Sequence, residues 1–295
     1  MKPPFDLETV VQRFAPLVRL HLDEHFQPSS VEWYLARTEL WHVSSAMHAR
    51  RPPQYTKLLS KGDVTVGGLV SQKVDRKGGR DESGGESQGL FFLRIPHDPH
   101  RRHTCQGSLT GAQCYGHVMP TSRSNLWQIA YLFFFPFNGS IVSVDSIAHE
   151  GDWEHIKVEI DTAAQAPLRV YYAAHGGGDW HNKNTRGSGE GFYCFQKTHP
   201  IVYSAWHSHA SYPRPGVQER ALASDETATG GAEWPCWERT AVLGDKANPP
   251  SGQEWLRFNG LWGDPGSQLP GIGEATKGPT GPAFKKWWKD NGFDT

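Results

Sequence analysis

The 295-residue chain is long enough for one large all-β domain or two ordinary ones. It has 30 Lys and Arg against 31 Asp and Glu, a formal net charge of −1, which excludes a global field that would recruit nucleic acid or an anionic membrane. The hydrophobic share is only 37%, but 12 Trp, 14 Phe and 9 Tyr concentrate the apolar area in large side chains.

The opening segment, MKPPFDLETVVQRF, lacks the apolar stretch of a secretory signal. No run reaches the roughly 20 apolar residues that span a bilayer, so a cytoplasmic protein without a transmembrane segment is expected. Asp6, with Thr9 and Val10 after it, predicts a short helix ending before Pro16, and LVRLHL alternates like a half-buried strand. Ser29 with Glu32 three residues on reads as a capping box that opens a helix over SVEWYLARTELW. Residues 73–90 are charged, Gly-rich and nearly free of apolar side chains, a mobile loop insertion rather than a domain linker.

Short candidate strands follow with turn residues between them: FFLRI, WQIAYLFFF, WEHIKVEI, LRVYYAAH and PIVYSAW. No comparably strong helical pattern separates them, so antiparallel pairing is favoured over β-α-β units. The fold class expected is mainly β, an antiparallel β-sandwich with peripheral short helices, in a single domain over 1–295. The Trp-rich tail is expected to pack back on the body. Cys105, Cys114, Cys194 and Cys236 form no CxxC pair, which argues against a thiolate zinc site. A Cys105–Cys114 bridge would need an oxidising compartment, and free thiols are the expectation.

The stretch SIAHEGDWEHIKVEI carries the chemistry. Asp152, Glu154, Ile156, Val158 and Ile160 share one face of a strand, and Trp153, His155, Lys157 and Glu159 the other. Carboxylates on a core-facing row need a cation or dense hydrogen bonding. Gly151 permits a bend that brings His149 to the same side. One imidazole and two carboxylates suit a divalent cation, and a hydrogen-bonded cluster at a strand end is the alternative. In AWHSHASYP, His207 and His209 fall two apart in an expected strand, share a face, and would serve as general bases if the site were catalytic. AAHGGGDWH places His175, Asp179 and His181 on a Gly-rich loop without a phosphate-loop pattern.

The motifs RFAPLVRLH, PSSVEWYL, YLFFFPFNG, HEGDWEHIKVEI, YSAWHSHASYPRPG and WLRFNGLWG, in that order, resemble the vacuolar protein sorting protein sixty-two family over nearly the whole chain. HEGDWEH is also similar, more weakly, to the GHRHDWE heptapeptide of necrosis- and ethylene-inducing-like proteins, β-sandwiches that bind a divalent cation through an Asp, a His and the Asp and Glu of that heptapeptide. Aligned on DWE, the resemblance implies His149, Asp152 and Glu154 as ligands. The remaining Asp has no match here: Asn138 stands nearest in the pattern, and Asp145 is the nearer carboxylate. Calcium, magnesium or manganese suits these oxygen donors, and zinc is the outside candidate. The expected function is binding of a lipid, glycan or protein ligand at a metal-centred site. The alternative is a metal-assisted enzyme acting on a hydrophobic small molecule by cyclisation, rearrangement or hydrolysis, with His209 or His207 moving protons. Depth decides between them: an enclosed aromatic pocket for the enzyme, a sandwich rim for the binding module.

Overall fold

A computed structural model describes residues 3–43, 54–71, 90–96, 105–123, 125–139, 148–162, 166–183, 191–219, 224–266 and 277–289. The loop expected over 73–90 lies outside them except for Leu90, which already belongs to a strand. In chain order the strands are β1 (Leu17–Arg19), β2 (Glu39–Val43), β3 (Thr56–Leu59), β4 (Leu90–Arg94), β5 (Cys114–Pro120) and β6 (Leu126–Asn138). Then come β7 (His149–Asp161), β8 (Ala166–Ala174), β9 (Gly177–Asn182), β10 (Cys194–Phe195), β11 (His199–Ser204) and β12 (Ser211–Tyr212). The last four are β13 (Gly216–Gln218), β14 (Asp225–Thr227), β15 (Glu233–Pro235) and β16 (Thr240–Val242).

The central sheet runs β16-β5-β6-β7-β8-β9, and a second sheet runs β10-β11-β1-β15 with β12 also on β11. Pairing is antiparallel apart from β1 with β11 and β5 with β16. Alternation along β6 explains why the central sheet sits in the middle of the molecule. Trp127, Ile129, Tyr131, Phe133 and Phe135 join Ile156, Val158 and Ile160 in a core closed by Val18, Val202 and Trp234 of the second sheet. Leu132, Phe134 and Trp153 point the other way, into a second core with Tyr34, Leu40, Leu93, Trp255 and Trp262. The small sheet β3-β2-β4 covers that face.

Helix α1 (Leu7–Phe14) starts as its sequence implies: the Asp6 carboxylate accepts the Thr9 N–H at 2.8 Å. Helix α2 (Val31–Leu35) departs from expectation at both ends. Its N-cap is Ser30, whose Oγ accepts the Trp33 N–H at 3.1 Å, while Ser29 is buried with its N–H on the Phe134 carbonyl. The predicted helix stops early because Glu39–Val43 pairs with β4 instead, and sheet pairing overrides helical propensity there. Ser30→Ala is expected to destabilise the protein by about 1 kcal/mol in urea unfolding, whereas Ser29→Ala leaves the cap intact.

The face of β7 expected to carry Trp153, His155, Lys157 and Glu159 is covered as well. Glu159 is held by both nitrogens of an Arg169 fork at 2.8 Å. The tail folds back, stacking Trp287 on His155 (4.5 Å between ring centres) and Trp288 on His117 (3.9 Å). All four cysteines are free thiols, with Cys105, Cys114 and Cys236 buried. Among the described residues no helix is long and apolar enough to cross a membrane.

Candidate functional site

The site lies where β6 and β7 kink together. Pro136 has no N–H to give to the ladder, and Gly151 takes a left-handed φ of 65°. Before this point Phe135 and its partner Asp152 face the inner core, as do Phe133 and Glu154. Beyond it the alternation shifts by one. Phe137 packs in the second core against Phe26, and Asn138 turns its amide to Asp152. His149 is the cross-strand partner of Asn138, and the left-handed Gly151 between it and Asp152 is where the expected bend falls. A Cβ on Gly151 would stand 1.7 Å from the Trp262 carbonyl oxygen, so only glycine fits.

Asp152 is the centre of the cluster. Its Oδ2 accepts from Asn138 Nδ2 at 3.1 Å and meets His209 Nδ1 at 3.0 Å. The other ring nitrogen of His209 lies 3.6 Å from Glu24 Oε2, a charge contact longer than a hydrogen bond. The ring lies flat on Phe135, 3.8 Å between centres and 4° from parallel. Burial opposes a charge on His209, but Glu24 and Asp152 outweigh it and raise its pKa to about 9. Glu24 is likewise held below the ordinary carboxylate range: burial works against its charge, and His209 with the Phe26 and His207 N–H groups prevails. Glu154 goes the other way, pushed well above its ordinary value by burial and by the Asp152 charge beside it.

Of the residues singled out from the sequence, Asp152, Asn138 and His209 come together directly, and Glu154 feels both Asp152 and His209. His149 reaches the corner, but its Nδ1 is 2.9 Å from the Gly151 carbonyl and donates there, leaving only Nε2 for a ligand. Asp145 lies outside the described residues. His207 and His209 do not share a strand face: β11 ends at Ser204, and both sit on a turn with φ of 63° and 54°. His207 stacks on Trp206 (4.3 Å), which stacks in turn on His21 (5.7 Å). Burial holds the His207 imidazole below its ordinary value. A His209 charged at neutral pH fits a proton donor rather than the general base its motif suggests.

Glu24 and Asp225 were not foreseen. Glu24 sits in HLDEHFQP among ordinary surface residues, and no spacing ties it to a motif lying more than a hundred positions on. Asp225 binds His175 Nε2 at 2.8 Å, Ser208 Oγ at 2.8 Å and the Tyr212 hydroxyl.

The divalent cation implied by the resemblance can be weighed against these side chains. Glu24 and Asp152 already outnumber the one imidazolium, and Glu154, whose pKa is pushed well above its ordinary value, would add its charge on losing its proton to a bound cation. Asp152, Glu154 and the Asn138 carbonyl are hard oxygen donors of the kind calcium, magnesium and manganese take. The donor chemistry and charge fit. Among the described residues no three His, Cys, Asp or Glu side chains stand in metal-holding geometry, and His209 is on Asp152 Oδ2.

The family model described as "Vacuolar protein sorting-associated protein 62" matches residues 4–228. A putative vacuolar protein sorting-associated protein, TDA6, of Saccharomyces cerevisiae is 23% identical, the match covering 96% of this chain and 68% of that protein. Vacuolar protein sorting-associated protein 62 of the same yeast is 29% identical over 56% of this chain and 45% of its own length, so the match spans less than half of that relative. Among solved structures, Necrosis and Ethylene inducing Protein 2 from the causal agent of cocoa's Witches Broom disease aligns at a TM-score of 0.39 and 14% identity, over 82% of this chain and 76% of that one. By the extent of the family match, the chain belongs to the vacuolar protein sorting-associated protein 62 family.

Proposed function

We propose that this chain is a ligand-binding β-sandwich protein whose recognition centre is the Glu24–His209–Asp152–Glu154 corner, completed by a hard divalent cation. The observation that carries this reading is the pair of carboxylates on the core-facing row of β7, with Asp152 opposite Phe135 and Glu154 opposite Phe133. Asp152 and Glu24 alone outnumber the one imidazolium, and a cation would draw the proton from Glu154 as well. Asp152 and Glu154 would hold the ion, with the Asn138 carbonyl as a neutral donor. When bound, it would offer its open positions to oxygen atoms of a lipid headgroup, glycan or protein ligand.

The chain's own residues set the remaining chemistry. Asn138 orients Asp152, Phe135 lies flat against the His209 ring, and His209 holds a proton at Nδ1 against Asp152. The Glu24 and His209 side chains are almost wholly buried and that of Asp152 is 9% exposed, so a ligand would approach the corner from the Asp152 side.

Elemental analysis of tag-free protein tests the ligand set. A near-stoichiometric divalent ion is expected in the wild type and absent from both Asp152→Ala and Glu154→Ala. Full occupancy retained in both variants would overturn the assignment.

A further inference from the structure

The turn that delivers His209 is strained, and the structure shows what holds it. His207 and His209 both take left-handed backbone angles, which residues with a Cβ adopt only where their surroundings impose them. Glu24 grips one part of the turn by accepting the His207 N–H at 2.7 Å. Asp225, 1% exposed on β14, grips the residues on either side of His209: it accepts from Ser208 Oγ and from the Tyr212 hydroxyl. The Ser208 carbonyl passes this hold to Asn138 Nδ2 at 3.3 Å, and Asn138 in turn bonds Asp152.

The third partner of Asp225 is His175, at the tip of the β8–β9 hairpin. Its side chain is 49% exposed while that of Asp225 is 1% exposed. A buried carboxylate that orders the site thus has a solvent-facing imidazole on it.

We propose that Asp225 is a positioning residue for the site, and that the charge on His175 sets how firmly Asp225 holds the His209 turn. The link to cation binding rests on the function proposed above, whereas the hold on the turn does not. His175 Nε2 donates to Asp225 when neutral, and protonation adds an ion pair to that hydrogen bond. The turn therefore tightens as pH falls through the histidine range. The groups facing this dyad are Asp225 from β14, Tyr212 from β12 and Ser208 from the turn, and Glu154 of β7 feels the Asp225 charge. Its own hairpin carries Asp179 and His181.

The test is hydrogen-exchange protection of the His207, Ser208 and His209 amides in the full chain, between about pH 5.5 and 8, with Mn²⁺ affinity measured in parallel. Asp225→Asn replaces an acceptor oxygen with a donor. It is expected to lower protection at the turn roughly tenfold and to weaken Mn²⁺ binding by a similar factor, with protection of Ile156–Ile160 unchanged within about twofold. The wild type gains protection as pH falls. His175→Gln, whose amide can donate to Asp225 but cannot charge, flattens that profile. Unchanged turn protection in Asp225→Asn, or a wild-type pH profile in His175→Gln, would overturn the proposal. If Asp225→Asn does not fold, the His175→Gln profile decides alone. A wild type that binds no Mn²⁺ refutes the cation reading and leaves the exchange data to decide the role of Asp225.

Discussion

Removing the His209 imidazole is expected to destabilise the metal-stripped protein by about 3–5 kcal/mol at pH 6.5, because His209→Ala leaves Asp152 and Glu24 buried without their shared cation. The same interaction dictates how wild-type stability depends on pH. The folded pKa of His209 is raised to about 9 above an unfolded value of about 6.5. The folded state therefore binds the extra proton. Its stabilisation is fully present below about pH 6.5 and is lost as pH rises through about 9, a change on the order of 3 kcal/mol. Urea unfolding of the wild type at pH 6.5 and 9.5 reads the loss directly, and His209→Gln should show no such term. A wild-type stability that is flat across this interval would mean that His209 is not the charge that balances the two acids.

Gly151→Ala is expected to lower stability by at least about 3 kcal/mol and to disperse the site with it. Two independent costs meet at this position. The left-handed φ of 65° disfavours any side chain, and the new Cβ would stand 1.7 Å from the Trp262 carbonyl oxygen. That carbonyl is fixed in turn by the Tyr34 hydroxyl at 2.9 Å, so it does not move aside freely. The variant loses the kink that brings Asn138 to Asp152. It should therefore show both a lower unfolding midpoint and loss of bound divalent ion. A midpoint within about 0.5 kcal/mol of wild type would show that the backbone at Gly151 relaxes, and that the kink is not imposed by this contact.

Much of the framework was legible because period-two patterning is local. WQIAYLFFF was readable as a strand from its continuous apolar run and WEHIKVEI from its alternation, each shorter than the strand it falls in, and the carboxylates on the inward row of β7 pointed to a candidate site before any partner was known. Asp6 marked α1 because a cap is decided within three residues. What stayed hidden depends on contacts distant in sequence. Glu39–Val43 has helical propensity but is captured by β4. The His207–His209 segment reads as a continuation of β11, and its left-handed turn is imposed by Glu24 and Asp225, which no local rule connects to it. The shift of alternation beyond Pro136 and Gly151 was suggested by the glycine alone, and the proline opposite it explains why both strands turn together.

The central question is whether a divalent cation sits between Asp152 and Glu154. Crystals grown with Mn²⁺ and measured for anomalous scattering address this most directly. An anomalous peak about 2.0–2.6 Å from carboxylate oxygens of both residues, with the Asp152–His209 contact altered, is the predicted result. A map with no peak at this corner and the Asp152–His209 bond intact would contradict it, leaving His209 as the corner's own cation.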